Sequence, residues 1–243
     1  MSKINVAKAQ LSKFLKLCEM TGSHKTNEEL AITITQNEIF AWVVSPYKNY
    51  VAFSSIPGKF ADWGEIGAKI APHLNKFLST RSNAFDVSLQ KIEDTLYCEC
   101  GDTTLISPLC DLQYMLNRPD QTKIQRIFDE AQKGPSLSLK RGDLKRIIAS
   151  AKLVRARSIS LSGKDEIITF KFNGLKKSCV LDFKASNKIE IAFEVKFNET
   201  FLKTLTSLMN YDLSLFIDVS RRIIYLNINS REIRFECALT GHS

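Results

Sequence analysis

The chain has 243 residues, of which 44% are hydrophobic and 25% charged, and it carries a net charge of +8. These are proportions of a folded, water-exposed protein, and no apolar run approaches the ~20 residues that a bilayer-spanning helix needs. The charge is lopsided: residues 1–120 are net −1 and residues 121–243 net +9, which favours a polyanionic partner, most simply nucleic acid.

In chain order, SKINVA reads as a short strand ahead of a helix at 9–20, AQLSKFLKLCEM, with Leu11, Phe14, Leu15 and Cys18 on one face. Three strand-like runs follow, ELAITITQNEI, FAWVVS and YVAFSSI, punctuated by Asn37 and Pro46. EIGAKIA and a helix at 72–81, PHLNKFLSTR, restart the same order. Leu74, Phe77 and Leu78 form its stripe, and Pro72 suits a first helical turn, where a missing N–H costs nothing. FDVSLQKI, TLYCEC and TTLISPL are the next strands. A polar stretch at 111–136 then carries Pro119, Gly134-Pro135 and a weakly helical middle at 124–128, and reads as a connector.

The second half repeats the pattern. SLSLK precedes a helix at 142–153 with Leu144, Ile147, Ile148 and Ala151 on one side, and RSISLSG, EIITFKFNG and KSCVLDFKAS follow as strands. FEVKF precedes a helix at 198–209, where Asn198 is placed to cap the N-terminus. LSLFIDVS, RIIYLNINS and REIRFECAL are the last strands. The unit is strand–helix–strands, used four times.

One phrase recurs at the same place in every unit: LSKFL at 11–15, LNKFL at 74–78, LKRII at 144–148 and FLKTL at 201–205. Its apolar positions are the buried helix stripe. Its cation (Lys13, Lys76, Arg146, Lys203) falls on the polar side. A single cation there is ordinarily just solvated. Four at one repeat position, on helices lying side by side on a sheet, would form a row spaced at roughly 8–10 Å, a surface suited to phosphates. Lys16, Arg81, Lys140, Arg141, Lys145, Lys152 and Arg155 extend it, most densely in the second half, where only Asp143 opposes them.

Signals for covalent chemistry are weak. His24, His73 and His242 are scattered, and Cys98 and Cys100 form a C-x-C with no second pair at zinc spacing, so they read as buried thiols. There is no phosphate-binding glycine motif. The acidic pairs Glu93-Asp94 and Asp165-Glu166 read as turns. No catalytic residue, metal or cofactor is expected. MSKINVAKAQ lacks a secretory apolar segment, so a cytoplasmic location with reduced cysteines is expected.

The unit order, the helix phrases, ITITQNEIFAWVVSPYKNYVAFSS and the run REIRFECAL at 231–239 resemble the DNA sliding clamps with two domains per subunit, the proliferating cell nuclear antigen family and the clamps of tailed phages. The resemblance implies an α+β DNA-clamp fold with two similar domains, at 1–116 and 136–243, joined by a connector at 117–135. Each domain would hold two strand–helix–strands repeats, with helices on the inner face of a ring and sheets outside. It implies a DNA polymerase processivity factor rather than an enzyme: a homotrimer, placed by a clamp loader, that encircles double-stranded DNA and tethers the polymerase. Ring closure would use edge strands around Thr104, Ile106 and Leu109 and around Ser178, Val180 and Asp182. Partner peptides would dock in an apolar pocket formed by Pro46, Tyr47, Ile127, Phe128, Ala238 and Leu239. The basic charge and the ending Thr240-Gly241-His242-Ser243, without an acidic tail, depart from cellular clamps and point to a bacteriophage or virus, and so to the infected host's cytoplasm. The alternative is a monomeric or hetero-oligomeric clamp-like module that holds DNA by charge without encircling it.

Overall fold

The computed structural model describes residues 3–19, 29–45, 50–69, 74–81, 85–115 and 120–241. Four repeats of one order run through it. The first is β1 (Lys3–Ala7), α1 (Lys8–Glu19), β2 (Glu29–Ile34), β3 (Glu38–Val44) and β4 (Tyr50–Pro57). The second is β5 (Gly64–Lys69), α2 (Asn75–Ser79), β6 (Asp86–Ile92), β7 (Thr95–Cys100) and β8 (Thr103–Cys110). After α3 (Gln121–Ala131) comes the third: β9 (Ser136–Leu139), α4 (Arg141–Val154), β10 (Ser158–Lys164), β11 (Ile167–Asn173) and β12 (Ser178–Lys184). The fourth is β13 (Phe193–Phe197), α5 (Glu199–Ser207), β14 (Leu213–Asp218), β15 (Ile223–Asn229) and β16 (Arg234–Thr240).

The chain divides into two compact units, residues 1–120 with 229–235 and residues 121–228 with 236–243. Much of the stretch expected as a connector is α3, whose Ile124, Phe128 and Ala131 are buried in the second unit. The Phe128 ring stands 5.0 Å from that of Tyr225 on β15.

Within each unit the two repeats exchange their opening strands. In the first, β1 pairs antiparallel with β6 of the second repeat, setting Ile4 opposite Leu89 and Val6 opposite Val87. In return β5 pairs with β2, setting Ile66 opposite Ile32. The second unit does the same: β9 lies on β14 with Leu137 opposite Leu215, and β13 lies on β10 with Val195 opposite Leu161. A single repeat therefore lacks one strand of its own sheet, and the unit is the smallest piece that can close. The strands alternate buried and exposed positions, as in β13 and β7, because each sheet has one face covered by helices.

The helices bury the predicted stripe. Leu11, Phe14, Leu15 and Cys18, then Leu144, Ile147, Ile148 and Ala151, then Phe201, Leu205 and Leu208 are all within the core. Burying each large apolar side chain contributes about 1.5–3 kcal/mol. Thr204 takes the stripe position that Phe14 and Ile147 hold in the other helices, and its Oγ1 donates to the Thr200 carbonyl at 2.9 Å, so the buried hydroxyl is satisfied. Asn198 caps α5 as expected, its Oδ1 accepting from the Thr200 N–H at 2.9 Å. The second helix is shorter than expected, and Pro72 lies outside the described residues.

Both acidic pairs are two-residue hairpin loops, with Glu93 at φ 50° and Asp165 at φ 56°. A positive φ is what a tight hairpin matching the strand twist demands. In the first unit, β5 touches β8 only at Gly67 opposite Cys110 and Ala68 opposite Leu109. A Cβ on Gly67 would stand 2.5 Å from the Cys110 carbonyl oxygen, so this seam requires glycine. Among the described residues, no helix is long and apolar enough to cross a membrane.

Candidate nucleic-acid interface

Each unit carries two helices packed side by side, α1 with α2 and α4 with α5. Because the stripe at i, i+3 and i+4 is committed to the sheet, the i+2 position of the shared phrase faces away from it. Lys76, Arg146 and Lys203 are exposed there and Lys13 is half-exposed. The four related cations thus occupy one structural position.

Their electrostatic surroundings differ. Lys13 donates to Glu232 at 2.7 Å. The Lys13 hydrogen bond and charge hold the Glu232 carboxyl below its ordinary range. Arg146 lies 3.7 Å from Asp143 and Lys203 3.3 Å from Glu199, both pairs inside their own helix. The Arg146 guanidinium also lies 5.8 Å from the Phe183 ring centroid. Lys16, Lys76, Lys145, Lys152 and Arg155 are exposed and have no ion-pair partner among the described residues.

Lys140 and Arg141 sit at the N-terminus of α4, where the helix dipole disfavours cations. Two carboxylates answer them. Asp143 accepts the Lys140 N–H at 3.1 Å, and Asp212 accepts the Arg141 N–H at 3.0 Å and faces Lys140 Nζ at 3.4 Å. The Arg141 backbone bond, then Lys140, holds the Asp212 carboxyl below its ordinary range. Arg81 is half-buried with its guanidinium 5.4 Å from the Phe77 ring centroid, so it is more a packing residue than a free charge.

At the other end of α4 the helix stops on Arg155 in the left-handed region, φ 51°. A groove of about 550 Å³ opens between α4 and α5, lined by Ile148, Ala151 and Leu202, by the cations Lys152, Arg155 and Lys203, and by Glu199, which is paired with Lys203. Its cations, on solvent-facing helix positions, suit phosphate contact with a polyanion that is not read, and the apolar lining adds nothing to that contact.

Of the two expected edge strands one ends its sheet and the other does not: β8 lies between β7 and β5, which meets it at Cys110 and Leu109. β12 ends its sheet, ordered β12-β11-β10-β13, and presents Ser178, Val180 and Asp182 outward, with Val180 51% exposed. Thr169 donates to Asp182 at 2.7 Å. On β8, Thr104 and Ile106 are exposed, the latter 61%, while Leu109 is half-buried and held by its N–H to the Asp94 carbonyl at 2.8 Å. Pro108 faces Thr95 and has no N–H to give β7, so alternate residues 104 and 106 turn their backbone groups away from β7, to the side that β5 leaves open.

The expected peptide pocket needs correction. Phe128, Ala238 and Leu239 are core side chains, 0%, 4% and 2% exposed; Phe128 is buried because α3 folds onto the sheet against Tyr225, and Ala238 and Leu239 are buried on β16. Ile127 is half-buried, and Pro46 and Tyr47 lie outside the described residues. An aromatic group in the first unit was not among the expected site residues. Phe40 and Trp42 alternate along β3 at half-buried positions, and the rings of both approach Phe53 on β4, at 5.9 and 4.7 Å. Arg234 caps Phe53 at 5.2 Å. The signal was present as aromatics on alternate positions of EIFAWVV, but alternate aromatics read equally as core.

Among the described residues, no cluster of three or more His, Cys, Asp or Glu could hold a metal ion. Burial pushes the Cys98 thiol up to about 12, helped by Cys100 and Glu99, so it is not a nucleophile at neutral pH.

No family model matches the sequence, and no curated protein matches it. Solved structures match it end to end. The PCNA of A. fulgidus, solved with the C-terminal region of FEN-1 bound, aligns with a TM-score of 0.78 at 15% identity, covering 100% of this chain and 99% of that one. The PCNA of Thermococcus kodakaraensis aligns with a TM-score of 0.76 at 16% identity, covering 100% of both chains. With every strand and helix of the four repeats inside those alignments, the chain has the PCNA-type sliding-clamp fold.

Proposed function

We propose that this protein is a DNA sliding clamp, a processivity factor that encircles duplex DNA as a homotrimer and tethers a DNA polymerase. The observation that carries the reading is the repeated helix position: four cations at one site of four related helices, on a fold matched over the full chain by PCNA structures. A clamp needs no covalent chemistry. It holds the polymerase at high effective concentration near the primer end, so that dissociation becomes recapture. Sliding requires contacts to phosphates and none to base edges, which long cations on solvent-facing helix positions provide. The DNA-facing residues are then Lys13, Lys16, Lys76, Arg81, Lys140, Arg141, Lys145, Arg146, Lys152, Arg155 and Lys203. Of these, the unpaired members of α4 carry the largest share.

Ring closure would join the open edge of β8 in one copy to β12 in the next, with Ile106 and Val180 covered in the joint. A head-to-tail interface of this kind closes when its rotation allows. One of the matched clamps was solved with a partner segment bound. Here the face for such segments would be the Phe40, Trp42 and Phe53 cluster, with Ile127 as a further candidate. A clamp loader would place the ring on DNA. The basic net charge of +8 supports a phage or viral source.

Light scattering across a dilution series tests the ring. A species near three times 27.5 kDa that Ile106→Glu or Val180→Glu reduces to monomer supports it. A monomer at every concentration overturns the homotrimer and leaves the open DNA-binding module. Retention on closed circular DNA, with release when the circle is cut, separates encirclement from binding by charge alone.

A further inference from the structure

Beyond the DNA-facing Lys152 and Arg155, the end of α4 and the turn between β11 and β12 carry side chains that the clamp reading does not use. The turn is pressed onto the helix end: a Cβ on Gly174 would collide with the Val154 carbonyl oxygen, so only glycine permits the approach. It is also pinned, by the Gly174 N–H to the Lys177 carbonyl at 2.9 Å and by the Arg157 N–H to the Asn173 carbonyl at 3.0 Å. Leu153 precedes Val154 and Leu175 follows Gly174. They are 75% and 77% exposed, the two most exposed large apolar side chains among the described residues.

Arg157, Lys176 and Lys177 stand beside them, all exposed, and none has an ion-pair partner among the described residues. Residues 152–157 and 173–177 contain no carboxylate. One exposed leucine needs no explanation. Two leucines flanking the same backbone contact, with three exposed cations within four residues of them along the chain, have the make-up of a small interface: apolar groups with charge beside them.

We propose that this surface docks an acidic peptide segment of another protein. Its apolar side chains cover Leu153 and Leu175, and its carboxylates meet Arg157, Lys176 and Lys177. Charge complementarity fixes the sign of the partner and the leucines fix its kind. A phosphate backbone has nothing to place on two leucines, and two leucines are too little apolar surface to hold a chain on a lipid bilayer. The inference does not depend on ring formation.

The test is selection of short random peptides by display on the immobilised full-length protein, followed by binding of one enriched synthetic peptide. Sequences rich in Asp and Glu with Leu, Ile, Phe or Trp are expected. Leu153→Ser with Leu175→Ser, and separately Lys176→Glu with Lys177→Glu, should each weaken that peptide about tenfold or more. The melting temperature, the mass by light scattering and the retention on duplex DNA of the leucine variant should stay unchanged. The lysine pair guards against a folding defect in the leucine pair. Failure to enrich any acidic and apolar sequence overturns the proposal, as does a peptide that both variants bind normally. A loss of DNA retention in the leucine variant assigns the surface to nucleic acid and overturns it too. A change in mass assigns it to a second copy of this chain, and wild-type binding to phosphatidylserine vesicles that the leucine variant loses assigns it to membranes; either result overturns the proposal.

Discussion

The α1–α2 pair of the first unit and the α4–α5 pair of the second use one buried stripe and present different charge to solvent. In the first unit Lys13 is held by Glu232 and Arg81 is folded onto Phe77, while Lys16 and Lys76 have no ion-pair partner among the described residues. In the second, Lys145, Lys152 and Arg155 stand free, and the pairs at Arg146 and Lys203 are local to one helix turn, where exposed partners separate at little cost. The comparison separates two demands on the same repeat. Packing fixes the i, i+3 and i+4 positions in both units. Charge is free to vary on the opposite side, and here it concentrates on one unit. Any grip on a polyanion should therefore be uneven.

The largest effects should fall on what the units share. Phe14→Ala and Ile147→Ala remove fully buried side chains at the same helix position of the two units, and each should destabilise by about 2–5 kcal/mol. Chemical denaturation measures both. A small loss for one alone would mean that the two helix pairs are not equivalent in packing.

Charge reversal should divide the units. Lys145→Glu, Arg146→Glu and Lys152→Glu together should lower the salt dependence of DNA retention by about three phosphate contacts. Lys13→Glu, Lys16→Glu and Lys76→Glu should lower it less, because Glu232 holds Lys13 at 2.7 Å whereas Asp143 meets Arg146 only at 3.7 Å. Equal losses would break the comparison.

Arg155→Gly works on both counts at once. Glycine relieves the left-handed φ of 51° at the end of α4 and should stabilise the fold by up to about 1 kcal/mol, while removing one cation from the stronger grip. A thermal melt and a salt titration on the same variant should move in opposite senses.

The smallest effect is at Glu232. Glu232→Gln should remove the carboxylate that faces Lys13 and raise the salt slope of the first unit by less than one contact. Its carboxyl has a lowered pKa in the folded state, so the pair stabilises above the unfolded value near 4.3 and is lost as pH falls through the lower folded value. Wild type and variant should differ in stability at neutral pH and converge in acid.

The four repeats were legible because one stripe recurs with its cation at a fixed place, and burial of apolar positions is the strongest signal a sequence carries. The acidic pairs were legible as turns for a similar local reason. What escaped was long-range. Nothing near Lys13 announces Glu232, 219 residues away, so a paired cation and a free one look alike in sequence. The helix α3 reads only as a weak tendency at 124–128, although Ile124, Ile127, Phe128 and Ala131 keep helical spacing, because the polar stretch around them reads as a connector; the Phe128–Tyr225 contact shows it packed. That contact also turns Phe128 from a candidate pocket wall into core. The exchange of opening strands has no signature either, since β1 and β5 present similar alternation to whichever meander they join.

That exchange has a consequence for synthesis. Lys3 on β1 lies opposite Gln90 on β6, and among the described residues β1 ends its sheet with β6 as its one neighbour. At roughly 5–20 residues per second, the ribosome needs several seconds to deliver β6 after β1 has emerged. During that interval β2, β3 and β4 can form their meander, but β1 waits as an unpaired ribbon. The same wait recurs for β9 until β14 emerges. The nascent chain is thus exposed twice, and a pause in translation within either interval should raise its capture by chaperones or its loss to aggregation.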